Sequence, residues 1–247
     1  MRLADEIEEL LGVSTDTAYK RIKGETDLTF TELVTICRKY NVSMDEIIFK
    51  KSKQGALFHY EQIEISEQES CINYLQQLLD VILSLRSASE KEIICVAQVI
   101  PFYSFLKYPE LTFFKLYVCY DVTKYGPITF SEYCNRLDKD RFLSLFEKVY
   151  QAQMFIPTKE IWSNETIDTT YKLIDYYHAI GAFENKKTAL TLLDQFTQLL
   201  DTIKQWADNG YKGSNKETAF EQYVCSVDLG NALMLARIEN HFSCTLR

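Results

Sequence analysis

Glycine, proline and histidine are scarce in this chain: 8, 4 and 3 among 247 residues. So little glycine and proline excludes collagen-like and low-complexity architectures. The histidines, His59, His178 and His241, stand far apart and show no metal-ligand spacing. No two of the seven cysteines lie closer than 15 residues, so a Cys-x-x-Cys clamp is missing. Nothing argues for a zinc site, and an odd number of dispersed thiols reads as reduced cysteine in a reducing compartment. No apolar run reaches the ~18 residues of a membrane helix. The start, Met-Arg-Leu-Ala-Asp-Glu-Ile-Glu-Glu, is acidic and lacks the apolar stretch of a secretion signal. These absences set the expectation of a cytoplasmic protein with no membrane partner, no metal and no cofactor.

Positive charge is also short. Lys and Arg number 27 against 35 Asp and Glu, a net −8, which argues against a protein that coats nucleic acid generically. The deficit is uneven. Residues 1–53 hold nine basic and ten acidic side chains and are close to neutral, whereas residues 54–247 carry −7. Catalytic signatures are missing too: no Gly-x-Ser-x-Gly, no Walker loop, no Gly-x-Gly-x-x-Gly and no His-Glu-x-x-His. Glu160 and Asp175 are carboxylates near aromatics and read as ordinary solvated groups. The chain is not expected to be an enzyme.

What is present is apolar, aromatic and periodic. The apolar share is 47% and the aromatic share 13%, enough for a sizeable core in one or two domains. In residues 1–50, Leu3, Ile7, Leu10 and Leu11 form one helical stripe that Gly12 stops. Ser14 is a good N-cap for a second helix, Thr15–Lys23, closed by Gly24, with Ala18, Tyr19 and Ile22 as its apolar positions. Thr29-Phe30-Thr31-Glu32 and Ser43-Met44-Asp45-Glu46 are capping boxes opening two more helices. Leu33, Ile36, Cys37 and Tyr40 are the expected inner face of the first of these. Four short helices in fifty residues follow, with boundaries near Gly12, Gly24 and Asn41.

Leu3–Gly24, with Gly12, Val13, Ser14 and Gly24, resembles the helix-turn-helix of the Cro/repressor-type (lambda repressor-like) bacterial transcriptional regulators. Tyr40-Asn41-Val42-Ser43-Met44-Asp45-Glu46-Ile47 matches that family's usual close, so the resemblance spans residues 3–48. It implies that Thr15–Lys23 is a recognition helix in the major groove of double-stranded DNA and that Leu3–Leu11 crosses the backbone. Thr17, Lys20 and Arg21 share one face and would read base edges, while Ala18 and Ile22 turn inward. Ser14, Thr15 and Lys23 would reach phosphates. The head departs from the family in two ways. Only Met1 and Arg2 precede Leu3, so the family's first helix is expected to be missing, and Glu8 stands where a small residue is preferred.

Lys51-Ser52-Lys53-Gln54-Gly55 is polar and marks the expected boundary between a head of residues 1–50 and a tail of residues 51–247. In the tail, Leu57–Ile65 reads as a strand. Ser66-Glu67-Gln68-Glu69 is a capping box opening a long helix through Leu75, Leu78, Leu79, Ile82 and Leu85. Glu92–Ala97 is a buried strand. Pro109 suits the first turn of a helix continuing to about Val122. Helices are expected at Asp140–Met154, Glu165–Gly181 and Lys186–Asn209, with Ile156–Trp162 as a structured connector. Phe220–Val227 and Leu233–Leu246 read as strands joined by a turn at Asp228-Leu229-Gly230-Asn231.

Ile100–Lys115 and Ile156–Gly181 resemble the tails of bacterial regulators with the same head, which implies a regulatory or dimerising part whose effector is unknown. The fold expected is mainly α: a helix-turn-helix bundle, then a larger helical domain with a small β-sheet. The function expected is a DNA-binding transcriptional regulator, homodimeric through its tail. The alternative is an interaction or scaffold protein whose degenerate head no longer binds DNA.

Overall fold

The computed structural model describes residues 3–40, 42, 44, 67–213, 216–227, 233–238 and 241–246. The chain is mainly helical with a small sheet, and it divides into two compact units, Met1–His59 and Tyr60–Arg247. The division falls nine residues beyond the expected boundary at residue 50. The expected strand Leu57–Ile65, the linker 51–55 and the box beginning at Ser43 lie outside the described residues, as does Ser66.

In the first unit, α1 (Leu3–Leu11), α2 (Thr15–Lys23) and α3 (Phe30–Tyr40) fall where apolar spacing and caps put them. Gly12 leaves α1 at φ +65° and Gly24 leaves α2 at φ +72°, a left-handed conformation that costs glycine least. The Thr29 hydroxyl accepts the Glu32 N–H, and the Glu32 carboxylate accepts the Thr29 N–H at 2.7 Å, so that capping box closes as read. Ala4, Ile7, Ala18 and Cys37 are the buried apolar residues of this small core. Two inward assignments fail: Ile22 is 42% exposed and Tyr40 39%. A nine-residue helix has only one narrow inner stripe, and Ala18 occupies it.

The second unit is a helical layer on a five-stranded mixed sheet. Its helices are α4 (Gln68–Ser87), α5 (Phe102–Phe105), α6 (Pro109–Val118), α7 (Val122–Tyr125), α8 (Phe130–Asn135), α9 (Lys139–Gln153), α10 (Asn164–Ala179) and α11 (Lys186–Asn209). Its strands are β1 (Lys91–Ala97), β2 (Thr158–Ser163), β3 (Phe220–Cys225), β4 (Leu233–Ile238) and β5 (His241–Leu246), in the order β3-β2-β1-β4-β5. β1, β2 and β3 run parallel, and β4 and β5 are antiparallel additions. Parallel neighbours need long crossovers, supplied here by α5–α9 and then by α10–α11.

One sheet face is dry. Ile93, Cys95, Ala97, Thr158, Glu160, Trp162 and Phe220 are buried on it. The other carries half-buried Ile94, Val96 and Ile161 together with a charge ladder. Lys159 bridges Glu92 (3.1 Å) and Glu221 (3.6 Å), and Arg237 approaches Glu92 (3.7 Å). Over the helices an aromatic cluster packs mostly edge-to-face: Phe114 against Phe130, Tyr177 and Phe183, and Tyr117 against Phe130, Tyr133 and Tyr177. That geometry adds about 0.5–1.5 kcal/mol per pair beyond area burial.

Three readings of the tail need correction. The helix opened by Pro109 ends at Val118, because Asp121 accepts the Thr123 N–H (2.9 Å) and starts α7. The connector Ile156–Trp162 contains β2, a central strand whose flanking proline and buried polar residues masked its pattern. Leu233–Leu246 is two strands, since Leu233–Ile238 pairs antiparallel with His241–Leu246. The turn at Asp228–Asn231 lies outside the described residues, and the strands on either side of it stand at different places in the sheet rather than paired.

Candidate functional site

On α2 the six residues expected to meet DNA divide into two groups. Ser14 caps the helix, accepting the Thr17 N–H at 3.4 Å, and its hydroxyl lies 3.0 Å from that of Thr17. Thr15 donates from Oγ1 to Glu8 Oε2 at 2.7 Å. Glu8 therefore ties α1 to the start of α2, where a carboxylate also complements the helix dipole. Arg21 is not on the outer face. Its side chain is 13% exposed, and Nη2 donates to Glu32 Oε1 at 3.3 Å, joining α2 to α3. The Thr29 N–H first, and the Arg21 guanidinium with it, hold the Glu32 carboxyl below its usual range.

Lys20 and Lys23 remain outward, with side chains 50% and 64% exposed. Lys20 pairs with Asp16 at 2.6 Å and Lys23 with Glu25 at 3.9 Å. Exposed pairs of this kind contribute about 0–1 kcal/mol and exchange readily for another anion. The outward stripe is thus Asp16, Tyr19, Lys20 and Lys23, spaced i, i+3, i+4 and i+7, rather than Thr17, Lys20 and Arg21. Tyr19, one of the helix's apolar positions, is 42% exposed on that stripe. The signal for it was available: Ala18 and Arg21 at i and i+3 define the inner stripe once Arg21 is matched to Glu32.

The second unit holds a polar centre that overturns the reading of Glu160 as an ordinary solvated carboxylate and includes Lys212, which the sequence did not single out. Glu160, in the middle of β2, and Lys212, which follows α11, are each 1% exposed. The Glu160 carboxylate accepts the Trp162 Nε1–H at 2.8 Å and the Tyr103 hydroxyl at 3.1 Å. Lys212 Nζ donates to the Gln153 carbonyl (3.2 Å) and to Gln153 Oε1 (2.8 Å). Burial pushes the Glu160 carboxyl up, against the opposing pull of the Lys212 ammonium and the two hydrogen bonds. Burial pushes the Lys212 ammonium down, against the pull of Glu160. This centre is dry and enclosed, and it serves the junction of β2, α9 and the β3 approach. Asp175, in contrast, is exposed as expected.

Among the clefts on this unit are two of similar size. One, of about 570 Å³, has Phe113, Phe130 and Leu192 among its lining and Glu110, Lys139 and Lys187 beside them. The other, of about 550 Å³, lies where β1, β2 and β3 end. Among the described residues no group of acidic, histidine and cysteine side chains is placed to hold a metal ion. Among the described residues, six cysteines stand outside any disulfide. No helix among the described residues is long and apolar enough to cross a membrane. Two units, a head with three helices among its described residues and a helical layer on a mixed sheet, define the architecture. Comparison with family models, with curated proteins and with solved structures finds no match.

Proposed function

We propose that the chain is a DNA-binding transcriptional regulator whose head inserts α2 into the major groove. The observation that carries this reading is the outward stripe of α2. Ala18 is buried and Arg21 pairs with Glu32 of α3, and this leaves Tyr19, Lys20 and Lys23 directed away from the head's core on a helix that follows a tight glycine turn. Lysines contact phosphates or guanine edges, and a tyrosine hydroxyl contacts phosphate. Arg21 acts through α3, holding the helix rather than touching DNA. The tail is the dimeriser, because a single head reads one half-site and two recognition helices must stand about 34–36 Å apart.

The test is fluorescence anisotropy of the whole chain with labelled duplex DNA, starting from a pool of bacterial promoter fragments, over a salt series. The expected result is binding that weakens steeply with salt. A second reading is supported by Phe30 at 71% exposure and by Leu3 at 57%, an apolar surface on the head suited to a protein partner. DNA affinity absent at low salt would leave that reading standing.

A further inference from the structure

We propose that the outer edge of β3 is where two copies of the chain meet, their β3 strands pairing antiparallel across a two-fold axis at Tyr223. The inference rests on the reading of the tail as the dimeriser and gives that reading a surface. β3 is an end strand of the described sheet and is six residues long. Its register with β2 decides which main-chain groups that pairing uses. Thr158 is opposite Phe220, and the Thr158 N–H donates to the Ala219 carbonyl at 3.1 Å. Bonding residues alternate along a parallel ladder, so Glu221, Tyr223 and Cys225 turn their N–H and C=O groups toward β2. Phe220, Gln222 and Val224 turn theirs outward. The Phe220 N–H is already engaged, donating to the Gly210 carbonyl at 3.0 Å. Gln222 and Val224 keep outward main-chain groups that no other described strand meets.

This edge lacks the usual protection. Edge strands are commonly blunted by proline, by lysine or by bulges. Phe-Glu-Gln-Tyr-Val-Cys has no proline and no basic residue. Tyr223 is 53% exposed and Val224 69%, and both residue types favour strands. Glu221 is the strand's one charge, and Lys159 stands 3.6 Å from it. The edge is therefore close to neutral, although residues 54–247 carry −7.

An extended strand is what such an edge accepts, and the register favours a second β3. An antiparallel ladder alternates pairs that exchange both hydrogen bonds with pairs that exchange none. With the axis at Tyr223, Gln222 of each copy is opposite Val224 of the other. These are the residues whose main-chain groups point outward. Tyr223 then meets its own counterpart at a non-bonded position, where side chains come closest and aromatic pairs stabilise. Glu221 falls opposite Cys225, so no like charges meet. An axis at Gln222 would instead call on the Phe220 N–H, which Gly210 holds. An axis at Val224 would run the ladder past the end of β3 at Cys225. The contact is isologous, as a two-fold dimer requires. A ladder this short buries less than the ~800 Å² per partner of a standard interface, so the dimer should form reversibly over the micromolar range.

The test is sedimentation equilibrium of the whole chain from about 1 to 100 µM, a range that brackets such an association. Wild type should rise from 28.8 kDa toward twice that mass. Val224→Pro removes an N–H that faces outward, so it spares the ladder with β2 and, by symmetry, strikes both bonded pairs of the dimer. It should keep the wild-type circular dichroism and raise the dissociation constant about tenfold or more. Val224→Lys, at the same exposed position, should weaken the dimer by charging the edge, and it keeps the test sharp if proline disturbs the fold. Tyr223→Cys, in a chain carrying Cys225→Ser, should give on copper-catalysed air oxidation a disulfide joining position 223 of two copies, read by mass spectrometry. The Cα atoms of such a pair stand about 4.5 Å apart, within the span of about 4.4–6.8 Å that a disulfide bridges. An unchanged dissociation constant in both Val224 variants, or no cross-link at position 223, overturns the proposal while a dimeric wild type keeps the tail as dimeriser. A monomeric wild type at every concentration overturns both, and DNA binding by the head is read separately by anisotropy.

Discussion

A carboxylate and an ammonium at 1% exposure each must be stabilised by neighbours or lose their charge. Glu160 has Tyr103, Trp162 and the field of Lys212; Lys212 has Gln153 and the field of Glu160. Removing one member leaves the other buried with its hydrogen bonds but without the opposite charge. Glu160→Gln alone and Lys212→Met alone should each destabilise the chain by about 3–5 kcal/mol, while the double variant should recover most of that loss. Urea unfolding of the three variants measures the cycle, and additive single effects would contradict the coupling. The pH dependence has a definite sign. In Glu160→Gln, Lys212 keeps a folded-state pKa lowered by burial below the ordinary 10.5. Between those two values the unfolded chain binds a proton that the folded chain does not, so the stability of this variant should rise with pH across that window. Neither residue was legible as a site. Glu160 stands in a connector with no alternating pattern, Lys212 lies 52 positions away, and the crossover alone brings them together. Arg21 was misassigned for the same reason: helical spacing cannot see Glu32 on the next helix.

Elements with local punctuation were the most legible. Ser14, Gly12, Gly24 and the Thr29/Glu32 box each place a helix end within a residue of its position, because capping is settled by three or four neighbouring residues. The Thr129/Glu132 box that starts α8 carries the same signal, and the sequence reading passed over it within a stretch dominated by aromatics. Replacing Thr129 by Ala should cost about 1 kcal/mol in unfolding of the second unit, a small fall in melting temperature. A loss several times larger would mean that Phe130 and the aromatic cluster shift with the cap. β2 and β4 were harder to read, since their residues are selected by neighbours far along the chain. Arg21→Ala belongs at this scale too. It should loosen α2 and α3 together, seen as faster amide exchange in both helices, with α10 and α11 unaffected.

At the scale of the whole molecule, charge and surface divide between the units. The head is near neutral and carries Lys20 and Lys23 outward on one short helix, while residues 54–247 carry −7 and most of the apolar content. Mainly helical architecture with a small sheet was readable from periodicity; the mixed order β3-β2-β1-β4-β5 was not, because order depends on crossovers rather than on any strand's own pattern. If the tail dimerises the chain, sedimentation at micromolar concentration should give twice 28.8 kDa. A mass of 28.8 kDa across that range would leave two half-sites without a means of being held together.

The salt dependence of DNA binding by wild-type chain and by Lys20→Ala/Lys23→Ala bears most directly on the role of α2. Both lysines are exposed and held only by surface carboxylates, so the double variant should fold and melt as the wild type does. Two lost phosphate contacts should weaken binding at every salt concentration and reduce the slope of log affinity against log salt by about two. Equal affinity and equal slope for the two proteins would contradict the account, since DNA would then be held by some surface other than α2.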